Sequence, residues 1–398
     1  MTHSVHISFI ATLALSSSLY ANANIGQMFQ DATIKGEVRS LYSAYNNKNT
    51  QDIYATAIGT SLQYELAKYK GFNASLAFRT THDIKVLSAN KEHYNNELSG
   101  EKKTYTEVTQ AYLNYENKNF NLRIGAQIID TPLADSDDIR MVPNTFKGYI
   151  AQYSLENLSF IAGHLDSWQG SDAGLNSGWK KAGKDGVNFG GINYENNLVD
   201  TNLWFYNISN DDSKEIANNA IYFDITGHLT IQENTTLNIS LQYLKEKELD
   251  NSAVEANIYG AMTELTYKNF TFTAAYNKAL KQNSKHSFSG YGGGTLFTNM
   301  DSMILDEITQ DREANAKVIS LSYALNNINF IYAYGDFSAK ADSQGLKAHI
   351  VEQDIVIEYT PNDLLTLSLS YIIDTNKQDS KSEDFNSKNI RAFASFNF

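Results

Sequence analysis

Apolar and polar residues trade places one by one along most of this chain. In GFNASLAFRTT (71–81), Phe72, Ala74, Leu76 and Phe78 fall on one parity, and Asn73, Ser75, Arg79 and Thr81 on the other. A two-residue period marks a β-strand whose two faces meet different surroundings. It returns in FNLRIGAQI (120–128), TLNISLQY (236–243), LLTLSLSY (364–371) and NIRAFASFNF (389–398). About eighteen such segments can be placed, starting near residues 33, 53, 72, 104, 120, 148, 158, 187, 198, 219, 236, 255, 270, 316, 328, 348, 364 and 388.

The connections alternate in length. Tight ones such as ENKN (116–119), Glu156-Asn157, Lys268-Asn269, Asn326-Asn327 and TPND (360–363) take turns with long ones at 82–103, 129–147, 166–186, 281–313 and 375–387. Hairpins on one side and open loops on the other are what the two ends of a closed transmembrane sheet require. A soluble sandwich also alternates, but about eighteen antiparallel strands exceed what one sandwich holds, whereas a barrel of that size leaves a water-filled bore. The pattern therefore predicts an all-β fold, a transmembrane antiparallel β-barrel with apolar residues outward and polar residues inward. Tyr69 and Phe72, Tyr115 and Phe120, Tyr267 and Phe270, and Phe396 and Phe398 stand beside the short turns, as an aromatic girdle would.

Composition narrows this further. Cysteine is absent and only 3 residues are proline, so neither a disulfide framework nor a proline-rich linker divides the chain. A net charge of −13 argues against nucleic acid as a partner. The apolar run ISFIATLALSS (7–17), followed by Ala21-Asn22-Ala23, reads as an export signal over 1–23 cleaved within 21–23, which leaves 24–398 for the barrel. Later segments are too polar for a membrane helix.

Arginine checks the register, which was set from apolar residues alone. Arg39, Arg79, Arg123 and Arg391 each fall on the parity opposite their strand's apolar residues, and so point into the bore, with Lys35 on the face of Arg39. Facing lipid at mid-depth, each would cost about 2 to 4 kcal/mol. If the last strand pairs with the first, these residues line one side of the wall. Between two strands lies DTPLADSDDIRMVPNTF (130–146), which holds Pro132 and Pro143, four aspartates and Arg140. Its prolines resist strand pairing and hold a defined path. The loop at 129–147 is thus expected to fold inward opposite the arginine wall, so that Asp135, Asp137, Asp138 and Arg140 make a charged constriction.

The segment IGAQIIDTPLADSDDIRMVPNTFKGYIAQY (124–153) resembles the third strand–loop–strand unit of OprD-type outer-membrane porins, in which a Thr-Pro, acidic residues, an arginine and a second proline precede a phenylalanine. KGEVRSLY (35–42), YELAKYKGFNASLAF (64–78), FGGINYE (189–195), YGGGTLFTNMD (291–301) and the terminal SFNF are similar in a looser way. The resemblance implies an 18-stranded barrel in the outer membrane of a Gram-negative-type bacterium, with an inward-folded loop that constricts the pore. It implies a porin that passes small-molecule solutes such as amino acids or short peptides. Carried over by position, the basic ladder is Lys35, Arg39, Arg79, Arg123 and Arg391, and the loop residues are Asp135, Asp137, Asp138 and Arg140. Phe398 resembles the terminal aromatic read by the barrel-assembly machinery. Outer-membrane lipid and lipopolysaccharide are the surroundings so implied, with a homotrimer among the assemblies the reading allows.

Enzyme chemistry finds little to stand on. No H-E-x-x-H, Walker A or nucleophile-elbow motif occurs, the 8 histidines are scattered, and no cofactor or metal is expected. YGGGT (291–295) lacks the Lys-Ser/Thr of a phosphate loop and reads as a mobile extracellular loop. Two rival functions are a barrel-type lipase, using His164 or His228 beside a serine, and a surface adhesin using the loop at 281–313.

Overall fold

The computed structural model describes residues 25–47, 51–100, 103–209, 216–288, 290–378 and 386–398. The expected export signal at 1–23, with its cleavage site, lies outside them. After a short helix, α1 (Ile25–Gln30), come β1 (Thr33–Asn47), β2 (Ile53–Glu65), β3 (Phe72–Asp83), β4 (Thr104–Asn117), β5 (Phe120–Gln127) and β6 (Thr145–Leu155). Then follow β7 (Leu158–Gln169), β8 (Val187–Glu195), β9 (Val199–Ile208), β10 (Asn218–Gln232), β11 (Thr235–Glu248) and β12 (Ala256–Tyr267). The last six are β13 (Phe270–Ala279), β14 (Ala314–Leu325), β15 (Ile328–Ala339), β16 (Ala348–Asn362), β17 (Leu365–Gln378) and β18 (Ser387–Asn397). A two-residue ribbon, Lys180–Lys181, lies alongside the end of β7.

Each strand pairs antiparallel with its neighbours in sequence, and β1 closes the sheet by pairing with both β2 and β18. At this seam Val38 stands between Thr60 and Phe396. Phe398 donates its N–H to the Gly36 carbonyl at 2.9 Å and accepts from the Gly36 N–H at 2.8 Å. The tip of the Phe398 ring abuts Gly36, where a Cβ would come within 2.2 Å of it. Closure leaves no unpaired edge, which a spanning sheet in lipid cannot tolerate. Among the described residues no helix is long and apolar enough to cross a membrane, so the strands make the crossing.

Side-chain exposure follows the alternation. On β9, Leu203 and Phe205 are 45% and 49% exposed on the outer face, while Trp204 and Tyr206, turned inward, are 4% and 0% exposed. Tight turns are made by single left-handed residues, among them Lys118, Glu156, Lys268 and Asn326. Beside them the aromatic girdle has real contacts: Phe72 and Tyr115 lie 4.7 Å apart, and Phe270 and Tyr323 4.5 Å.

The expectation of a polar inner face holds over only part of the wall. From β8 to β16 the inner face carries Phe189, Trp204, Tyr206, Tyr222, Leu244, Ile258, Phe337 and Ile350, all buried in one apolar cluster. The cluster is completed by Leu133 of the 128–144 connection and by Leu296, Met300, Met303, Leu305 and Ile308 of the 280–313 connection. Apolar inner positions are stable here because these long loops cover them, as helices cover a parallel sheet.

Candidate functional site: two loops on the inner wall

The 128–144 loop begins with a turn that the sequence dictates. Thr131 and Ala134 exchange backbone hydrogen bonds of 2.8 and 3.2 Å around Pro132, whose fixed φ suits the second position of a turn. Asp130 then accepts from the Ser136 hydroxyl at 2.5 Å and from its N–H at 3.1 Å, and Asp135 accepts from the Asp137 N–H at 2.7 Å. Asp137 has φ +42°, a left-handed conformation that aspartate tolerates better than most residues.

Beyond this turn the loop meets the arginines of the wall directly. Arg39 reaches Asp138 with Nη1 at 2.6 Å and Nη2 at 3.3 Å, and also donates to the Arg140 carbonyl. Arg79 donates to Asp138 at 3.2 Å and to the Met141 carbonyl at 3.3 Å. Both guanidinium groups also bind Glu37, Arg39 Nε at 2.8 Å and Arg79 Nη2 at 2.9 Å. The Ser395 hydroxyl donates to the same carboxylate at 2.6 Å. Glu37, Arg39, Asp138 and Arg79 thus form a closed square of alternating charge, with Arg39 and Arg79 only 7% and 8% exposed. A buried square of this kind holds its geometry because removing one member strands the others without a partner.

The expected geometry therefore changes in one respect. The sequence predicts the acidic loop opposite the basic wall, whereas Asp138 lies on that wall and neutralises it. The physical reason is desolvation: near van der Waals contact, a carboxylate and two guanidinium groups lose less by pairing than by facing each other across a gap. Arg140, grouped with the loop acids, is held by Asp172 at 2.5 Å, and Asp172 also accepts from Asn144 at 2.6 Å. Burial pulls the Arg140 guanidinium toward its neutral form, but the carboxylates of Asp172 and Asp137 outweigh this and raise its pKa. Burial pushes Asp135 up to about 6, against the hydrogen bond from the Asp137 N–H and with help from Asp130 and Asp172. Asp137 is likewise pushed to about 6, first by burial and then by Asp172.

The rest of the ladder is divided. Nη1 of Arg391 donates to both carboxylate oxygens of Asp301, at 2.7 and 2.8 Å. Arg123 lies over the Tyr112 ring at 4.5 Å and has no carboxylate within 4.0 Å among the described residues. Lys35 is exposed on the inner parity of β1.

The second loop, 280–313, also belongs to the site, although no pattern in the sequence marks it. Wall side chains hold its backbone: Glu246 accepts from Phe288 N–H at 2.9 Å, and Glu352 from Ser302 and Met303 N–H at 2.9 and 2.6 Å. Gln242 accepts from Phe297 N–H at 3.2 Å, and Asn277 from Thr298 N–H at 3.1 Å. YGGGT, read as a mobile extracellular segment, is fastened to the first loop. Tyr291 donates to the Leu133 carbonyl at 3.0 Å and accepts from Asp135 N–H at 2.8 Å. The approach demands glycine: Gly292 has φ +122°, and a Cβ there would lie 2.4 Å from the Asp135 carbonyl oxygen. Glu37 could have been found, since it shares the inner parity of Arg39 two residues away. Asp301, Glu246 and Glu352 join groups too distant in sequence to show a pattern.

His164 and His228, weighed for lipase chemistry, bind Asn188 at 2.9 Å, and Asp200 and Asn238 at 2.8 and 3.0 Å. Among the described residues neither has a serine hydroxyl as a hydrogen-bond partner. No group of acidic and histidine residues there is arranged to hold a metal.

The family model of the outer membrane porins of the OprD family matches residues 79–330. Comparison with curated protein sequences gives no match. Among solved structures, the chain is similar to Acinetobacter baumannii OccAB2, with a TM-score of 0.79 at 16% identity over 94% of this chain and 99% of that one. It is similar to Pseudomonas aeruginosa OpdK, solved with vanillate, with a TM-score of 0.76 at 17% identity over 93% and 99%. A BenF-like porin from Pseudomonas fluorescens Pf-5 gives 0.78 at 14% identity over 93% and 99%. With a closed barrel of eighteen strands and a family match over more than half its length, the chain belongs to the OprD family of outer membrane porins.

Proposed function

We propose that this porin is a passive diffusion channel for small carboxylate-bearing or zwitterionic solutes, amino acids and short peptides among them, with its constriction at the 129–147 loop. The observation that carries the reading is the unequal state of the ladder. Arg39, Arg79 and Arg391 have carboxylates of the protein as partners, whereas Arg123 stacks on Tyr112 with none. With Lys35, it offers a passing carboxylate a cation that is not already spoken for. The loop carboxylates Asp135 and Asp137 supply the complementary charge for an ammonium end. OpdK has been solved with vanillate, an aromatic carboxylate, which supports the same solute class. No step in this reading is catalytic.

Liposome swelling with amino acids, dicarboxylates and neutral sugars, beside bilayer reversal potentials, tests it. Arg123→Gln is expected to slow carboxylate entry and move the reversal potential toward cations, and Asp135→Asn with Asp137→Asn to move it toward anions. Sugars entering as fast as matched carboxylates, with potentials unmoved by either change, would refute the assignment. The same reading takes Phe398 as the signal for the assembly machinery, so that a Phe398→Ala chain should reach the outer membrane poorly. A homotrimer would show as a threefold mass in detergent.

A further inference from the structure

The outer face of the barrel carries one concentration of positive charge that the channel does not use. On β6, Lys147 has the parity of Tyr149, which is 49% exposed outward. It pairs across the ladder with Ser167, and Ser167 pairs in turn with Lys181 of the short ribbon, so that both lysines share the outer side of the wall. Trp179, two residues before Lys181, lies over the Lys147 ammonium at 4.0 Å. Lys181 and Lys184 are exposed beside them. One step further into the wall, Tyr149 and His164 stack with centroids 5.6 Å apart. Below these the outward surface turns apolar, with Tyr153, Phe160 and Ile192 exposed.

The depth of this patch is fixed by topology. Lys147 is two residues from the long-loop end of β6, and long loops lie on the outer side of such barrels. Tryptophan, tyrosine and lysine at the margin of an apolar belt are the residues that settle at lipid headgroup level, with the lysine stem in the apolar layer and its ammonium turned to the polar one. The carboxylates of the same margin are Asp166 and Asp185, both exposed, since Asp172 is bound to Arg140. Three exposed lysines thus stand beside two aspartates on a protein whose net charge is −13, so this margin is locally positive.

From this we infer that Lys147, Trp179 and Lys181 form a docking patch for the phosphate groups of an anionic outer-leaflet lipid. The ammonium groups take the phosphates, and Trp179 covers the sugar or glycerol portion while keeping Lys147 in place. The inference rests on the outer-membrane placement of the chain and is independent of which solutes cross.

Trp179 is a built-in reporter, because Trp204 is buried and Trp168 stacks inward on Phe146. The full chain in detergent is titrated with bisphosphorylated lipid A, with lipid A stripped of phosphate, and with inorganic phosphate, following tryptophan emission. Bisphosphorylated lipid A should bind, stripped lipid A should bind far less, and inorganic phosphate should not compete at millimolar concentration. Lys147→Gln with Lys181→Gln should weaken binding roughly 10- to 30-fold, two surface cations being removed. Single-channel conductance and heat-resistant gel mobility should be unchanged, showing an intact barrel. Lys268→Gln at a short turn on the opposite rim should bind like the parent. Equal affinity for both lipids, equal affinity of the double variant, or full competition by inorganic phosphate would each overturn the proposal.

Discussion

Two stretches of the same inner wall hold their loops with a different balance of forces. From β18 through β3 the wall is charged, and it grips the 128–144 loop through the square of Glu37, Arg39, Asp138 and Arg79. From β8 through β16 it is largely apolar, and Trp204, Tyr206, Ile258 and Phe337 share one core with Leu133 and with Met303 and Leu305 of the 280–313 loop, whose backbone is pinned at a few points by Gln242, Glu246, Asn277 and Glu352. The charged grip is directional, and fixes where particular atoms stand. The apolar grip is not, and fixes only that the loops stay down. A pore that must present a few charges in register has need of the first, and a barrel too wide to be filled by its own strands has need of the second. Tyr291, bonded to both flanks of Ala134, joins the two regions into one unit.

The sharpest way to break this contrast is at the square. Arg79→Gln leaves Glu37 and Asp138 short of a partner, and should cost about 3 to 5 kcal/mol in the opening of the loop, read from hydrogen exchange of the Asn144 amide. Adding Glu37→Gln should recover part of that loss. A double variant as damaged as the sum of the two singles would mean that the square is not a coupled unit. On the apolar side, Leu133→Ala should cost about 2 to 4 kcal/mol, because a buried side chain leaves a cavity. It should loosen the Tyr291 amide while sparing that of Asn144; equal loosening of both would erase the distinction between the regions.

The smallest effect is that of pH. Asp135 and Asp137 titrate near 6 in the folded loop, above the ordinary 3.8. A carboxyl whose pKa is raised by folding costs stability once it ionises, so this penalty is absent below about pH 4, grows between about pH 4 and 6, and is fully present above that. Loop amides should therefore exchange more slowly at pH 5 than at pH 8 after correction for intrinsic rates, and cation preference should fall over the same interval as two negative charges are lost. Asp135→Asn with Asp137→Asn should abolish both changes.

The strands were legible because alternation against two unlike solvents leaves a mark on every residue. All eighteen begin within three residues of the positions read from the sequence. Arginine parity was legible for the same reason. What the alternation could not give was the partner of each inner group. Asp138 lies 99 residues from Arg39, and Arg391 lies 90 from Asp301. Glu246 and Glu352 receive backbone N–H groups, which carry no signature of side-chain type. The apolar half did leave a trace in Leu203-Trp204-Phe205-Tyr206, where both parities are apolar, the pattern of a strand covered on both faces. The lysine patch escaped because Lys147 and Lys181 are brought together only by the pairing of β6, β7 and the ribbon.

The seam where Phe398 meets Gly36 has a consequence for closure. The wall is completed by the pairing of β18 with β1, the two barrel strands farthest apart in sequence, so a chain lacking either cannot shut the cylinder. A chain stopped even one strand early would keep two open strand edges, ready to pair with any other extended segment it meets. Closure of the cylinder therefore waits for the strand farthest along the chain from β1.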